Sequence, residues 1–101
     1  MAQMLERLHA KLDPLGAKPV KMFGGTCFML NGNMVAGTSK RGLLVRVGKE
    51  FDVDAAPQSN PMEMGGREML GYRYVDPGVD EAAFGYWMAA ALTFNQTLSP
   101  K

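Results

Sequence analysis

The sequence predicts an α+β domain: an antiparallel sheet, built as a three-strand meander plus a second hairpin, with an N-terminal and a C-terminal helix packed on it. Three observations predict it. Apolar residues recur at helical spacing at both ends, Asn31-Gly32 separates two apolar runs, and Glu68 to Val75 has the composition of a strand. With 101 residues the chain suits a single domain, residues 1–101, with one modest core.

The first helix is expected over residues 2 to 13. Met4, Leu5, Leu8 and Leu12 form its apolar stripe, with Glu6, Arg7, Lys11 and Asp13 opposite. Pro14 ends it, because proline lacks an N–H and disfavours a helical residue before it. The meander follows. Asn31 and Gly32 both tolerate the positive φ of a type I′ turn, so Leu30 is expected opposite Asn33, Met29 opposite Met34 and Cys27 opposite Ala36. A second turn at Ser39 to Gly42 leads into Leu43 to Val47, with Leu43, Val45 and Val47 on one face and Leu44 and Arg46 on the other.

Phe51, Val53, Ala55 and Ala56 suit one short helical turn before Pro57. The second hairpin comprises Met62-Glu63-Met64, a Gly65-Gly66 turn and Glu68 to Val75. Its longer strand is expected to place Leu70, Tyr72 and Tyr74 on one face and Met69, Gly71, Arg73 and Val75 on the other, with a bulge at Gly71. Asp80 caps the closing helix. That helix runs to Leu98 with a stripe of Phe84, Trp87, Met88, Ala91, Leu92 and Leu98, and Gly85 is read as permitting close packing on the sheet.

Composition excludes several function classes. The formal net charge is +1, which leaves no electrostatic footprint for nucleic acid or anionic membrane at the whole-chain level. The single cysteine, Cys27, allows no intrachain disulfide and points to a reducing, cytoplasmic setting. No run approaches the roughly 20 apolar residues of a membrane span, and the first residues carry charges unlike a signal peptide. Methionine is abundant, with 9 copies, most of them expected in the core.

The residues offer no catalytic grouping, cofactor motif or metal site. Cys27 and His9 alone fall short of a structural zinc set, and Met62 and Met64 are read as strand residues rather than soft-metal ligands. Cys27 sits in an apolar run, where a thiol behaves as a small hydrophobe, and His9 belongs to the polar side of the first helix. The glycines of Gly24-Gly25 and Gly37 to Gly42 lack the strand, Gly-Lys-Ser/Thr and helix order of a phosphate loop, so turns and bends explain them. Arg41-Gly42-Leu43-Leu44-Val45-Arg46-Val47 begins like an RNA-recognition strand, with aliphatic residues where the stacking aromatics belong. Lys40, Arg41, Arg46, Arg67 and Arg73, with Tyr72 and Tyr74, make up the candidate interaction surface. Arg67 is also placed to organise a turn or pair with Glu50 or Glu63.

Three segments, in order, carry a family resemblance. The first is Lys21-Met22-Phe23-Gly24-Gly25, continuing through Phe28-Met29 and Asn31-Gly32-Asn33-Met34 to Leu44-Val45-Arg46-Val47. The second is Gly66-Arg67-Glu68-Met69-Leu70-Gly71-Tyr72 with Val75, and the third is the closing helix with Trp87, Ala91-Leu92 and Phe94. Together they resemble the TfoX/Sxy N-terminal domain family from about Val20 to Leu98. The resemblance implies kinship with bacterial regulators of natural competence that act with the transcription machinery and have no known catalysis. Those regulators have a second, helical domain, whereas this sequence ends after the helix at Ser99-Pro100-Lys101 and resembles standalone members. Met22, Phe23, Gly24, Gly25, Asn31, Gly32, Gly66, Arg67, Gly71 and Trp87 then map onto turns and core. The function expected is a non-enzymatic, regulatory module that binds a protein partner, without cofactor or membrane. The alternatives are nucleic-acid binding through the basic residues, and a small-molecule pocket near Gly24-Gly25, Cys27 and Arg67.

Overall fold

The computed structural model describes residues 2–22, 24–39, 42–56 and 58–100. Of the residues named above, Phe23, Lys40, Arg41, Pro57 and Lys101 lie outside these. Helix α1 (Ala2–Leu12) precedes strands β1 (Lys18–Met22), β2 (Gly25–Leu30), β3 (Asn33–Ser39), β4 (Gly42–Arg46), β5 (Asn60–Met64) and β6 (Arg67–Val75), and helix α2 (Glu81–Gln96) closes the chain. The strands form one antiparallel sheet in the order β1-β2-β3-β4-β6-β5. The α+β architecture is as expected, with one strand more: β1 makes the meander four-stranded. Lys18, Pro19, Val20 and Lys21 are all exposed, so no apolar alternation marks β1, and backbone pairing to β2 holds it. Proline is tolerated at a sheet edge. The two edge strands, β1 and β5, carry Pro19 and Pro61.

Asn31 and Gly32 have φ of 56° and 79° and form the expected turn. Leu30 faces Asn33 and Met29 faces Met34, but a bulge then shifts the register, so Phe28 faces Ala36 and Cys27 faces Gly37. The predicted Cys27 and Ala36 pair is therefore off by one residue. The extra residue is Val35, and both Val35 and Ala36 enter the helix-side core. An inserted residue puts two neighbours on one face, which simple alternation does not anticipate.

Both helices pack on one face of the sheet. Met4, Leu8 and Leu12 of α1 and Phe84, Trp87, Met88 and Ala91 of α2 meet Phe28, Val35, Leu43, Val45, Val47 and Val75. The opposite face gathers Cys27, Met34, Leu44, Met62 and Tyr74, bordered by Met22, Met29, Met69 and Tyr72. The methionine content is largely accounted for there, since a flexible thioether fills irregular space on a face without a helix over it.

Asp80 caps α2, its carboxylate accepting the Ala83 N–H at 2.8 Å. The helix ends at Gln96, short of Leu98, and its buried stripe finishes on Asn95. Asn95 donates through Nδ2 to the carbonyls of Leu30 and Asn33 at 3.2 and 3.5 Å. Asn33 in turn donates to the Ser99 carbonyl at 3.0 Å. Gly85 does not serve close packing: a Cβ there would meet nothing within 4 Å.

In β6, Pro61 faces Arg73 and Glu63 faces Glu68, leaving the four residues from Met69 to Tyr72 opposite Met62 alone. The bulge expected at Gly71 is present, with Gly71 at φ 89°. It also reverses the expected alternation: Met69 joins Tyr72 and Tyr74 on the second face instead of lying beside Val75.

Candidate functional site

Helix α2 carries no charged residue from Ala82 to Gln96. A surface helix normally puts charge on its outer side, and α2 puts none there over these residues. Its buried stripe faces the sheet. A second stripe, Tyr86, Ala89, Ala90, Thr93, Phe94 and Thr97, lines a groove of about 980 Å³ whose other wall is the segment from Arg46 to Phe51 and the β6 bulge from Leu70 to Tyr72.

Close backbone contact builds the groove floor. Gly48 and Gly71 both have φ of 89°. The Gly71 carbonyl accepts the N–H groups of Val47 at 2.8 Å and Gly48 at 3.1 Å. A Cβ on Gly48 would lie 2.6 Å from the Phe94 ring, and one on Gly71 would lie 3.1 Å from the Gly48 carbonyl carbon. Both positions thus require glycine twice over, for conformation and for space.

Aromatic rings supply one wall. Phe51 and Tyr86 flank Trp87 with ring centroids 5.5 and 5.8 Å away. The bulge leaves Leu70 59% exposed, and Tyr86 is 41% exposed. Bulges commonly re-aim side chains in this way beside binding sites. At the far end the Arg46 guanidinium lies 5.6 Å from the Tyr72 ring centroid and 5.5 Å from that of Phe94. Such cation–π contacts orient the cation without neutralising it. Among the described residues no carboxylate forms an ion pair with Arg46.

Of the interaction residues read from the sequence, Arg46 and Tyr72 come together in this groove. Tyr74 is buried on the second sheet face. Across the β4–β6 ladder Arg73 pairs with Val45, one step from the Arg46 and Tyr72 pair. The Arg73 guanidinium donates to the Ser59 hydroxyl and carbonyl at 2.9 and 3.1 Å. Arg67 is exposed at the start of β6 and, among the described residues, pairs with neither Glu50 nor Glu63. Among the turn and core residues, Trp87 is fully buried, Met22 is half-buried, and Gly24 and Gly66 take positive φ.

Sequence reading missed Phe51, Tyr86, Phe94 and Leu70 as groove residues. The uncharged run of α2 is the signal that marks the surface. The bulge that brings Leu70 to it is set by the register of the β5–β6 hairpin and leaves no local pattern beyond Gly71.

Cys27 is 1% exposed, and burial raises its thiol from the ordinary 9.0 to about 11. His9 lies across the sheet from it, edge-on to Phe28 at 4.9 Å and with Nδ1 2.9 Å from an Asp13 carboxylate oxygen. Phe28 belongs to the helix-side core and Cys27 to the opposite face, so no thiol–imidazole pair forms. The raised value has a signed consequence. Above pH 9.0 the unfolded chain gives up this proton while the folded chain keeps it to about 11, so the folded state's advantage is full below 9 and is lost as pH rises through 11. In urea titrations from pH 8 to 11, the wild-type protein is expected to lose stability over this window relative to Cys27→Ala. A parallel pH dependence for the two proteins is the contrary result.

Among the described residues no three His, Cys, Asp or Glu side chains converge as a metal site. No described helix is long and apolar enough to cross a membrane. Residues 7–95, most of the chain, match the family model described as TfoX N-terminal domain. No curated protein and no solved structure matches the chain.

Proposed function

Since this chain belongs to the TfoX N-terminal domain family, we propose that it is a non-enzymatic, regulatory protein-interaction module that docks a segment of a partner protein in the groove between α2 and the β6 bulge. The observation that carries the reading is the second face of α2, uncharged along its length and standing over a groove with Leu70 and Tyr86 exposed at its margins. Exposed apolar and aromatic side chains gathered in one concavity are the composition of an interface core. A link to competence or transcription regulation is part of the same proposal and rests on kinship, not on the groove. Nucleic-acid binding has less support, because Arg46 is stacked on Tyr72 and Phe94 in the groove while the Arg73 guanidinium is held by Ser59.

The test is photo-crosslinking in the cells that make the protein, with a benzophenone amino acid in place of Ala89, an exposed groove residue. A discrete protein adduct is expected, absent when Leu70→Asp is added and absent when the probe replaces Lys18 on β1. No adduct, or one that survives Leu70→Asp, overturns the reading.

A further inference from the structure

The shape and charge of the groove constrain what can fill it. The exposed stripe of α2 from Tyr86 to Thr97 extends about 16 Å at a rise of 1.5 Å per residue. Ala89, Ala90 and Thr93 lie along its middle. Small side chains in a line allow another helix axis to approach to roughly 8–10 Å, with its ridges between theirs. An added strand finds no place here. The groove is walled by the end of β4, the segment after it and the bulge of β6; β4 and β6 are interior strands, and the sheet edges, β1 and β5, lie elsewhere. A flat apolar partner is also a poor fit, because Arg46 stands over Tyr72 and Phe94 and Lys49 adds a second cation to the lining. Glu50 is the one acidic residue in that lining, and among the described residues it forms no ion pair with Arg46.

Resting on the docking proposal above, we infer that the occupant is an amphipathic helix running antiparallel to α2, with an Asp or Glu in its first turns set against Arg46. Arg46 stacks on Phe94, near the C-terminal end of α2. An antiparallel helix begins there, and a carboxylate in a helix's first turn also complements that helix's own dipole. Arg46 is already oriented by two rings, so its charge-assisted bond with a carboxylate costs little further ordering. The apolar face of the occupant covers Ala89, Ala90 and Thr93, and Leu70 closes over it from the bulge.

The experiment selects displayed random peptides of about 16 residues, roughly 24 Å as a helix, on the intact protein with counter-selection on Leu70→Asp. Recovered peptides are synthesised and titrated against the protein, reading Trp87 fluorescence and the peptide's circular dichroism. The expected peptides carry apolar residues at helical spacing and an N-terminal acid, and gain helicity on binding. Changing that acid to Lys weakens binding by about tenfold or more, and Arg46→Glu restores binding of the Lys peptide. Peptides that need Leu70 but bind extended, or tolerate the acid-to-Lys change within about twofold, overturn this inference and leave groove docking standing. Recovery of no peptide dependent on Leu70 overturns both.

Discussion

Gly25→Ala is expected to cost at least about 3 kcal/mol, the upper end of an overpacking penalty. A Cβ at this position would fall on the Thr38 carbonyl oxygen and lie 2.9 Å from the Ser39 Cα. Both obstacles are backbone of β3, so no side chain can rotate out of the way. Relief requires β2 and β3 to separate, and their pairing is central to the meander. The opposing strand has the same constraint: a Cβ on Gly37 would lie 2.6 Å from the Thr26 carbonyl oxygen. Urea denaturation followed by circular dichroism measures the effect. Gly85→Ala is the matched control, since a Cβ there meets nothing within 4 Å. A Gly25→Ala protein within about 1 kcal/mol of wild type contradicts the close approach of the two strands.

Trp87→Ala is expected to remove about 3–5 kcal/mol, a large part of the 5–15 kcal/mol that typically holds a domain folded. Trp87 is fully buried in the helix-side core and carries the rings of Phe51 and Tyr86 against it. Truncation empties the space beneath one groove wall. Trp87→Phe is expected to be much milder, under about 2 kcal/mol. The indole Nε1 is buried and, among the described residues, has no hydrogen-bond partner. Replacing it with a phenyl ring therefore breaks no bond and removes an uncompensated polar group. Thermal and urea unfolding by far-UV circular dichroism compares the variants. Equal losses for Ala and Phe are the contrary outcome and point to a bond made by the indole N–H.

The features legible in the sequence were those decided within a few residues. The Asn31-Gly32 turn needs only two residues that accept positive φ, the Asp80 cap needs one carboxylate before a helix, and the stripe of α1 needs only periodicity. The faces of Leu43 to Val47 follow from alternation alone. What escaped was set by partners across the sheet. Strand β1 has no apolar pattern because it lies at the sheet edge with Lys18 to Lys21 exposed, and its place is set by pairing to β2. The bulge at Val35 is settled by which residue faces which across the β2–β3 hairpin, whereas the one at Gly71 was marked by its glycine and only the reversal of faces that it causes escaped. Asn95 looks like a break in an apolar stripe until the carbonyls of Leu30 and Asn33 are found beneath it. The groove was half visible: the absence of charge on α2 is plain in the sequence, whereas the wall that makes that face concave is not.

The amide of Asn95 also bears on the order of events in folding. The β2–β3 hairpin closes through neighbours in the chain, a local event of about 1–10 μs for isolated hairpins. Asn95 reaches its acceptors only across 65 and 62 residues of sequence, a closure whose entropy must be met before the bonds form. The bonds that seat the end of α2 are therefore complete only when the hairpin tip is formed. Once seated, the tip frays at the cost of both acceptors of the Asn95 amide, at the other end of the chain. The turn and the last helical turn are thus one cooperative unit, assembled from opposite halves of the polypeptide and released together.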